Sequence, residues 1–258
     1  MMKKIVDEIV ELKSMKKYPS QLFCEGNLEL LKSVKISVVG TRKPSQYSRN
    51  LVTKLTSLAS KRGICLVSGG AMGIDAVAHK GAGSENTIAI LPCGIDIKYP
   101  SVNKNLLFDI EKNGLLLSQF DVGFRATPWS FVVRNELVVA LGEVLVVAEA
   151  ELGSGSMRSV EFALKMGKEI FVLPQRLGQS SATNKLLKEG KAKAIYDIEE
   201  FVSRFATKET PHAKGDEFLE FCKTDPTYEK AIKMYPKKVF EAELNGDIVV
   251  QNGRIVLV

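Results

Sequence analysis

The chain has 258 residues, of which 45% are hydrophobic and 26% are charged, so it can bury a full core. No stretch approaches about 18 uninterrupted apolar residues, and we therefore expect no membrane span. The four cysteines are far apart and include no CxxC pair, which favours reduced thiols in a cytoplasmic protein. With only two histidines, His79 and His212, a histidine-based metal site is not expected.

The net charge of +6 is unevenly distributed along the chain. Residues 207–258 carry 8 Lys and Arg against 9 Asp and Glu, so the positive excess lies within the first 206 residues. A basic domain is typical of proteins that bind a polyanion, usually nucleic acid. A surplus that serves solubility alone is the alternative.

Residues 1–17 are predicted to form an amino-terminal helix or extension. Ile5, Val6, Ile9 and Val10 have the spacing of an amphipathic helix. Acidic residues interrupt this apolar run, so it does not have the hydrophobic region of a secretory signal.

Residues 18–206 alternate short apolar segments with helical ones. The predicted strands are Val34–Val39, Ile64–Val67, Thr87–Leu91, Leu115–Gln119, Glu143–Ala148, Glu169–Leu173 and Ala192–Tyr196. The predicted helices are Gln46–Lys61, Met72–Ala82, Asn103–Asn113, Phe131–Leu141, Ser156–Gly167 and Ala182–Glu189. Repeated βα units with apolar strands predict an α/β fold with a doubly wound, mostly parallel, Rossmann-like sheet. Ligands of such sheets bind at the carboxyl ends of the strands.

The carboxyl-terminal part is predicted to be a small separate module. Residues 207–215 are polar and periodless, as in a linker. Within 216–258, helices at Asp216–Lys223 and Thr227–Leu244 precede Asn252-Gly253, a type I′ turn signal between two apolar runs. Helices followed by a hairpin predict a winged-helix-like module. Because its charges balance, we expect an interaction or structural role for it.

The first candidate site follows the first parallel strand. Gly40 ends that strand, and Thr41, Arg42 and Lys43 occupy the turn before a helix. A guanidinium there can grip a phosphate through two N–H groups. For Thr41 a plain N-cap is the alternative. For Lys43 we favour a solvated cation over a contact with a phosphate backbone.

The second candidate site is the turn Ser68-Gly69-Gly70, with Gly73 following, between a strand and a helix. Glycines let a backbone approach a phosphate closely, and the first helical N–H groups point at it. A tight βα turn without a ligand is the alternative. We interpret Asp75 as an acid that stabilises the helix dipole rather than as a catalytic group.

The third candidate site combines aromatic residues with a cation, as in single-strand binders. Trp129 and Phe131 are candidate stacking residues, with anchoring of the next helix as the alternative. Arg134 and Asn135 lie in that helix, where the cation could point back to the sheet edge.

The fourth candidate site is Ser154-Gly155-Ser156, after a strand and before a helix. Small hydroxyl residues at a helix N-terminus bind a phosphate or merely cap the helix. Lys165, later in that helix, is a candidate backbone contact, although a solvated position is favoured. No G-x-G-x-x-G opens the first βα turn and no P-loop motif occurs, so no nucleotide cofactor is expected.

Taken in order, several segments resemble the DNA processing protein A family (DprA, also called Smf). The segments are Tyr18-Pro19, VVGTRKPSQYSR at 38–49, VSGGAMGIDAVAHKGA at 67–82, ILPCGIDIKYPSVNKNL at 90–106, GLLLSQF at 114–120, RNELVVAL at 134–141, VVAEAELGSGS at 146–156, EIFVLP at 169–174 and NKLLKEGKAKAI at 184–195. The resemblance covers roughly residues 18–205, and the joint order of the SGGAxGID and GxDxxYP runs makes it specific.

The resemblance implies a protein that binds single-stranded DNA, forms a homodimer and loads the RecA recombinase onto incoming strands during natural transformation. Such proteins have no known catalytic turnover. The family's phosphate-contacting arginine corresponds to Arg42. Its glycine turn, Arg-Asn pair and Ser-Gly-Ser turn correspond to Ser68, Gly69, Gly70 and Gly73, to Arg134 and Asn135, and to Ser154, Gly155 and Ser156. The chain departs from the family at Glu136, where a second arginine is usual, and at Val132, where a proline is usual.

An enzyme is the alternative function. A nucleotide phosphoribohydrolase of the lysine-decarboxylase-like type has a related sheet and a glycine-rich phosphate loop. That family uses a P-G-G-x-G-T-x-x-E run with a catalytic glutamate. The run from Ser68 to Asp75 has neither the threonine nor the glutamate, so this alternative is weakly supported.

Overall fold

The computed structural model describes residues 2–206, 217–222, 224, 226–245, 248–251 and 253–257. The chain divides into two units, Met1–Lys208 and Glu209–Val258. The predicted linker at 207–215 and Asn252 of the predicted turn lie outside the described residues.

A nine-stranded sheet forms the centre of the first unit. Its strands are β1 (Lys3–Lys4), β2 (Phe23–Gly26), β3 (Lys35–Val39), β4 (Cys65–Ser68), β5 (Thr87–Ile90), β6 (Leu115–Ser118), β7 (Val144–Val147), β8 (Ile170–Val172) and β9 (Lys193–Ala194). They lie in the order β1-β2-β6-β5-β4-β3-β7-β8-β9. The seven strands from β6 to β9 in this order are parallel, whereas β2 runs antiparallel to β6 and β1 antiparallel to β2. The predicted doubly wound, mostly parallel sheet is confirmed.

Helices cover both faces of this sheet. They are α1 (Gln46–Lys61), α2 (Ile74–Ala82), α3 (Lys104–Asn113), α4 (Pro128–Leu141), α5 (Gly155–Lys165), α6 (Ser181–Lys188) and α7 (Ile198–Ser203). Side chains of α1, α2 and α7 pack on one face, and side chains of α4, α5 and α6 pack on the other. The six strands from β3 to β8 are buried on both faces, which explains their largely apolar sequence.

The predicted amphipathic helix near the amino terminus is wrong. This segment forms the short edge strand β1 and a 3-10 helix at Val10–Ser14. Ile5 and Ile9 pack against the core, but Val6 is 92% exposed, so the helical spacing does not reflect a buried face. The backbone N–H of Ile9 donates to the Tyr18 hydroxyl at 2.9 Å, and tertiary contacts of this kind override the local pattern.

The second unit contains α8 (Glu217–Cys222), α9 (Tyr228–Met234), α10 (Pro236–Asn245) and an antiparallel pair, β10 (Ile248–Gln251) and β11 (Arg254–Leu257). The sequence predicts one helix over 227–244, but Pro236 begins a new helix because its ring cannot continue the preceding one. Phe218, Ala231 and Val239 contribute to a core of its own. No helix in the described parts of the chain is long and apolar enough to span a bilayer.

Candidate nucleic-acid interface

A cleft of ≈720 Å³ opens at the carboxyl ends of β3 and β7. These neighbouring strands lead the chain to opposite sides of the sheet, which makes this the topological switch point where ligands of such folds bind. Nine of the predicted site residues line it: Gly40, Thr41, Arg42, Phe131, Arg134, Asn135, Ser154, Gly155 and Ser156.

The first wall of the cleft is the turn after β3. Gly73 makes this turn possible, because a Cβ at that position would lie 2.3 Å from the Thr41 carbonyl oxygen and 2.5 Å from Arg42 Cα. Gly73 also has a φ of +82°, which favours glycine. The absence of a side chain therefore fixes the turn that presents Arg42. Gly73 itself does not line the cleft.

The second wall is the first half of α4. Thr127 and Ser130 form a reciprocal capping box, and Pro128 occupies the first helical turn. The helix thus begins at Pro128, earlier than the predicted start at Phe131. Phe131, Arg134 and Asn135 lie three and four residues apart, so they share one helix face, and that face borders the cleft.

Arg134 is only 3% exposed and forms the floor of the cleft. Its Nη1 lies 3.7 Å from Oδ2 of Asp75, and the same carboxylate accepts from the Ala71 N–H at 3.3 Å. Burial raises the pKa of the Asp75 carboxyl, and the guanidinium of Arg134 opposes this rise. Asp75, interpreted from sequence only as a helix-dipole acid, is therefore the partner of a buried arginine.

The glycine turn after β4 accommodates this arginine. A Cβ on Gly69 would lie 1.0 Å from Arg134 Nη1, so only glycine leaves room for the guanidinium. The Ser68 hydroxyl donates to the Val38 carbonyl at 2.7 Å, and the Gly70 carbonyl accepts from the Asn103 side chain at 3.0 Å. Ser68, Gly69 and Gly70 are buried and do not line the cleft.

Phe131 lies close to two guanidinium groups and a second aromatic ring. The Cζ atoms of Arg42 and Arg134 are 5.3 and 5.8 Å from its ring centroid. The ring of Tyr99 meets it edge-on, with 6.0 Å between centroids. Tyr99 was not predicted as a site residue, although it belongs to the GxDxxYP run. The mouth of the cleft therefore combines positive charge with exposed aromatic surface.

The third wall is the junction between β7 and α5. The hydroxyl groups of Ser154 and Ser159 and the Nε of Arg134 are buried and have no hydrogen-bond partner among the residues that the structure describes. Asn135 Nδ2 donates to the Gly155 carbonyl at 3.5 Å, which joins this wall to α4. Ser159 was also missed from sequence, because it lies one helical turn beyond the Ser-Gly-Ser motif.

The remaining predicted residues lie outside the cleft. Trp129 is 62% exposed, and its ring meets Phe120 at 5.9 Å between centroids. Lys43 is exposed on the turn after β3, and Lys165 is exposed in the last turn of α5. Among the described residues, no group of three or more His, Cys, Asp or Glu side chains could hold a metal ion.

The Lys168 side chain caps the C-terminus of α4. Its Nζ donates to the carbonyl groups of Ala140, at 2.6 Å, and Gly142. Burial lowers the pKa of this amine to about 8. These bonds satisfy carbonyl groups that a helix C-terminus leaves unpaired.

Comparison with known proteins identifies the family. The model of the DNA recombination-mediator protein A family matches residues 8–206. The chain belongs to this family.

Relatives in other bacteria agree with this assignment. DNA processing protein DprA of Streptococcus pneumoniae is 35% identical over 191 residues, which are 72% of this chain and 67% of that protein. DprA of Bacillus subtilis is 34% identical over 194 residues, 73% of this chain and 65% of its own. Protein Smf of Escherichia coli is 35% identical over 178 residues, 67% of this chain and 48% of its own. The chain thus matches about two thirds of the length of the DprA relatives and about half of Smf.

Two solved structures of the family have the same fold. DNA processing protein A from Helicobacter pylori, whose structure concerns its single-stranded DNA binding mode, aligns with a TM-score of 0.77 at 38% identity and covers 79% of this chain and 95% of its own. DprA from Streptococcus pneumoniae aligns with a TM-score of 0.73 at 33% identity and covers 80% of this chain and 75% of its own. The predicted resemblance is therefore confirmed, and the protein is a DNA-processing recombination mediator by family.

Proposed function

We propose that this protein binds single-stranded DNA in the cleft, protects incoming strands and loads the RecA recombinase onto them during natural transformation. The observation that carries the proposal is the ring of Phe131, which has two guanidinium groups within 6 Å at a sheet edge suited to ligands. Family membership and the DNA binding of the Helicobacter pylori relative support it.

In the proposed complex, the phosphate backbone and the bases have separate contacts. Exposed Arg42 contacts a phosphate through its guanidinium. Phe131 stacks on a base, as aromatic side chains do in single-strand binders. Gly40, Thr41, Asn135 and the turn Ser154–Ser156 line the backbone path. Because unpaired bases can reach the ring and stacked base pairs cannot, single strands bind more tightly than duplexes.

The proposed role involves binding and no bond making, so the protein acts as a mediator rather than an enzyme. It is proposed to work as a homodimer in the cytoplasm. Sedimentation equilibrium tests the dimer, with an expected mass of twice the 28.4 kDa of one chain. A mass that stays at one chain across the concentration range contradicts it.

Fluorescence anisotropy with a labelled single strand and the matching duplex, at several salt concentrations, tests DNA binding. We expect a preference for the single strand and a steep loss of affinity with salt. Arg42→Ala should weaken binding by about 1–3 kcal/mol. Lys43→Ala is the matched control, because it removes the same charge one residue away and outside the cleft. Equal losses in both variants, or undiminished binding by folded Arg42→Ala, would contradict the assigned site.

RecA loading has its own experiment. RecA assembly on a labelled single strand should be faster when the protein is present, and Arg42→Ala should remove the acceleration. Unchanged assembly kinetics in the presence of protein that binds the strand would contradict the loading step and leave DNA binding intact.

A further inference from the structure

We propose that the cleft binds the phosphate monoester at the end of a DNA strand, so that the protein recognises phosphorylated strand ends in preference to internal phosphodiesters. This inference rests on the proposed function, because it specifies which part of a single strand enters the cleft. The ligand class is a nucleotide phosphate monoester.

The floor of the cleft has donors without acceptors. Arg134 is 3% exposed and its Nε has no hydrogen-bond partner, and Ser159 is 1% exposed and its hydroxyl has none. Ser154 contributes a third buried hydroxyl without a partner. All three residues line the cleft. Buried polar groups are almost always hydrogen-bonded, and an arginine Nε can only donate, so this floor is built for an acceptor that comes from outside.

The N-terminus of α5 meets the same floor. This helix has 11 residues, its N-cap residue Ser154 makes no capping hydrogen bond, and its first turn contains no acidic residue. By contrast, the Asp197 side chain caps α7, which has acidic residues in its first turn. The free N–H groups and the positive end of the α5 dipole therefore favour an external anion.

The cleft has an excess of positive charge, which favours the ligand with more negative charge. The charged residues among its lining are three arginines (Arg42, Arg134 and Arg158) and one aspartate, Asp75, which gives a formal charge of +2. Glu161, outside the lining, lies 2.9 Å from Arg158 and offsets part of this excess. A phosphate monoester carries about −1.5 to −2 at pH 7 and offers three terminal oxygens. An internal phosphodiester carries a single charge and two such oxygens, so it satisfies fewer of the free donors.

The shape of the cleft favours a group that is attached on one side only. An internal phosphate would require the strand both to enter and to leave, but Arg134 and Ser159 are almost fully buried. A terminal phosphate can reach them while the strand continues outward. The volume of ≈720 Å³ is in the range of sites that enclose one small ligand. Phe131 and Tyr99, with ring centroids 6.0 Å apart, then offer aromatic surface for the terminal base.

The test compares strands that have the same number of phosphorus atoms. A 5′-phosphorylated oligothymidylate of about ten nucleotides, within the site sizes of single-strand binders, is matched with a 5′-hydroxyl strand one nucleotide longer. A 3′-phosphorylated strand of the first length shows which end is recognised. We expect one of the phosphorylated strands to bind roughly tenfold more tightly than the matched strand. Free thymidine monophosphate should compete with that strand.

Serine variants test whether the terminal phosphate binds at the floor of the cleft, and they leave the buried Arg134 in place. Replacing two unpartnered hydroxyls, Ser154→Ala with Ser159→Ala, should reduce the preference for the phosphorylated strand to less than about twofold. Ser57→Ala on α1, away from the cleft, is the matched control and should keep the preference. Preference retained in the double variant would overturn the assigned location.

The outcomes separate this inference from the proposed function. Equal binding of all three strands would overturn recognition of strand ends while single-strand binding stands. No binding of any strand would overturn both. Tighter binding of either phosphorylated strand supports the inference, and the stronger of the two identifies the end.

Discussion

The turns after β4 and after β7 look alike in sequence, since each places small residues between a buried strand and a helix. In the structure they differ. The turn Ser68–Gly70 is buried and holds the guanidinium of Arg134 against Gly69. The turn Ser154–Ser156 lines the cleft, and a Cβ on Gly155 would meet no atom within 4 Å. One turn is filled by the protein itself, and the other is open.

A glycine turn therefore allows another group to approach the backbone closely, but the turn alone does not show whether that group is a side chain of the protein or a ligand. At Gly69 the approaching group is a side chain from α4, paired with Asp75. The closed turn therefore contributes to stability and fixes the floor of the cleft, whereas the open turn is free to contact a ligand. Four predictions test the distinction by comparing changes at the two turns and in the helix that follows the closed one.

Gly69→Ala should have the largest effect. The new Cβ would occupy the position of Arg134 Nη1 and force the guanidinium away from Asp75, which leaves a buried carboxylate without its partner. We expect a loss of about 3 kcal/mol in the free energy of unfolding. Urea denaturation measures it. An unchanged denaturation midpoint would contradict the closed arrangement.

A pH titration should have the next largest effect, through the buried histidine of α2, the helix that follows the closed turn. His79 on α2 is fully buried, its Nδ1 lies 2.7 Å from the Thr87 hydroxyl, and burial lowers its pKa from 6.5 to about 3. Below about pH 6.5 the unfolded chain binds a proton at His79 and the folded chain does not. The neutral His79 therefore contributes to the free energy of unfolding above that pH, and this contribution is lost as the pH falls. We expect a loss of about 2 kcal/mol between pH 7 and pH 5.

His79→Asn separates this effect from the titration of carboxylates. Urea denaturation of both proteins at the two pH values gives the comparison, and the variant should have a shallower pH dependence. Parallel pH profiles would show that His79 does not contribute. The open turn Ser154–Ser156 contains no titratable side chain, so it adds nothing to this dependence.

A pair of serine substitutions should distinguish the two turns on a smaller scale. Ser68→Ala removes a buried hydroxyl that donates to the Val38 carbonyl at 2.7 Å, and should cost about 1 kcal/mol. Ser154→Ala removes a hydroxyl without a partner, and should change stability by less than about 0.5 kcal/mol. Thermal unfolding of both variants measures the difference. A larger loss in Ser154→Ala than in Ser68→Ala would reverse the assignment of the two turns.

Gly155→Ala should have a small effect of the opposite sign. Gly155 is the first residue of α5, it has no positive φ, and it has open space around a new Cβ. Alanine restricts the unfolded chain more than glycine, so we expect a gain of about 0.5 kcal/mol. Urea denaturation of Gly155→Ala and Gly69→Ala compares the same substitution at the two turns. We expect the free energy of unfolding to rise in the first variant and to fall in the second. A loss above about 1 kcal/mol would show that the α5 junction is also closed.

The parallel sheet could be predicted because its strands are buried on both faces and its helices carry local start signals. The predicted helix Gln46–Lys61 has the observed bounds, since the Ser45 side chain caps it. The edge strands β1 and β2 were not predicted. β1 has only two residues and pairs with β2, and the pairing of β2 depends on the distant strand β6.

The sequence predicts which strand–helix junctions form the site, but it does not predict the side-chain contacts within the site. The topology of a doubly wound sheet brings the turns after β3 and β7 to one edge, and both line the cleft. The contact of Arg134 with Gly69 depends on the rotation of α4 about its axis, which is set by tertiary packing. With the helix start predicted at Phe131, that rotation could not be derived. Trp129 then appears as a stacking residue, although it lies outside the cleft.

Helix α4 is fixed at both ends, by the capping box of Thr127 and Ser130 and by the Lys168 amine on the last carbonyls. An inserted residue in its middle would rotate everything on one side by about 100° and turn Phe131 and Arg134 out of register with the core. Such a segment can diverge by substitution but not by a change in length. Leu177, by contrast, is 98% exposed in the loop between β8 and α6, where an inserted residue would turn no helix face away from the core. Variation in chain length among descendants of this gene should therefore accumulate in that loop and spare the helix that forms the floor.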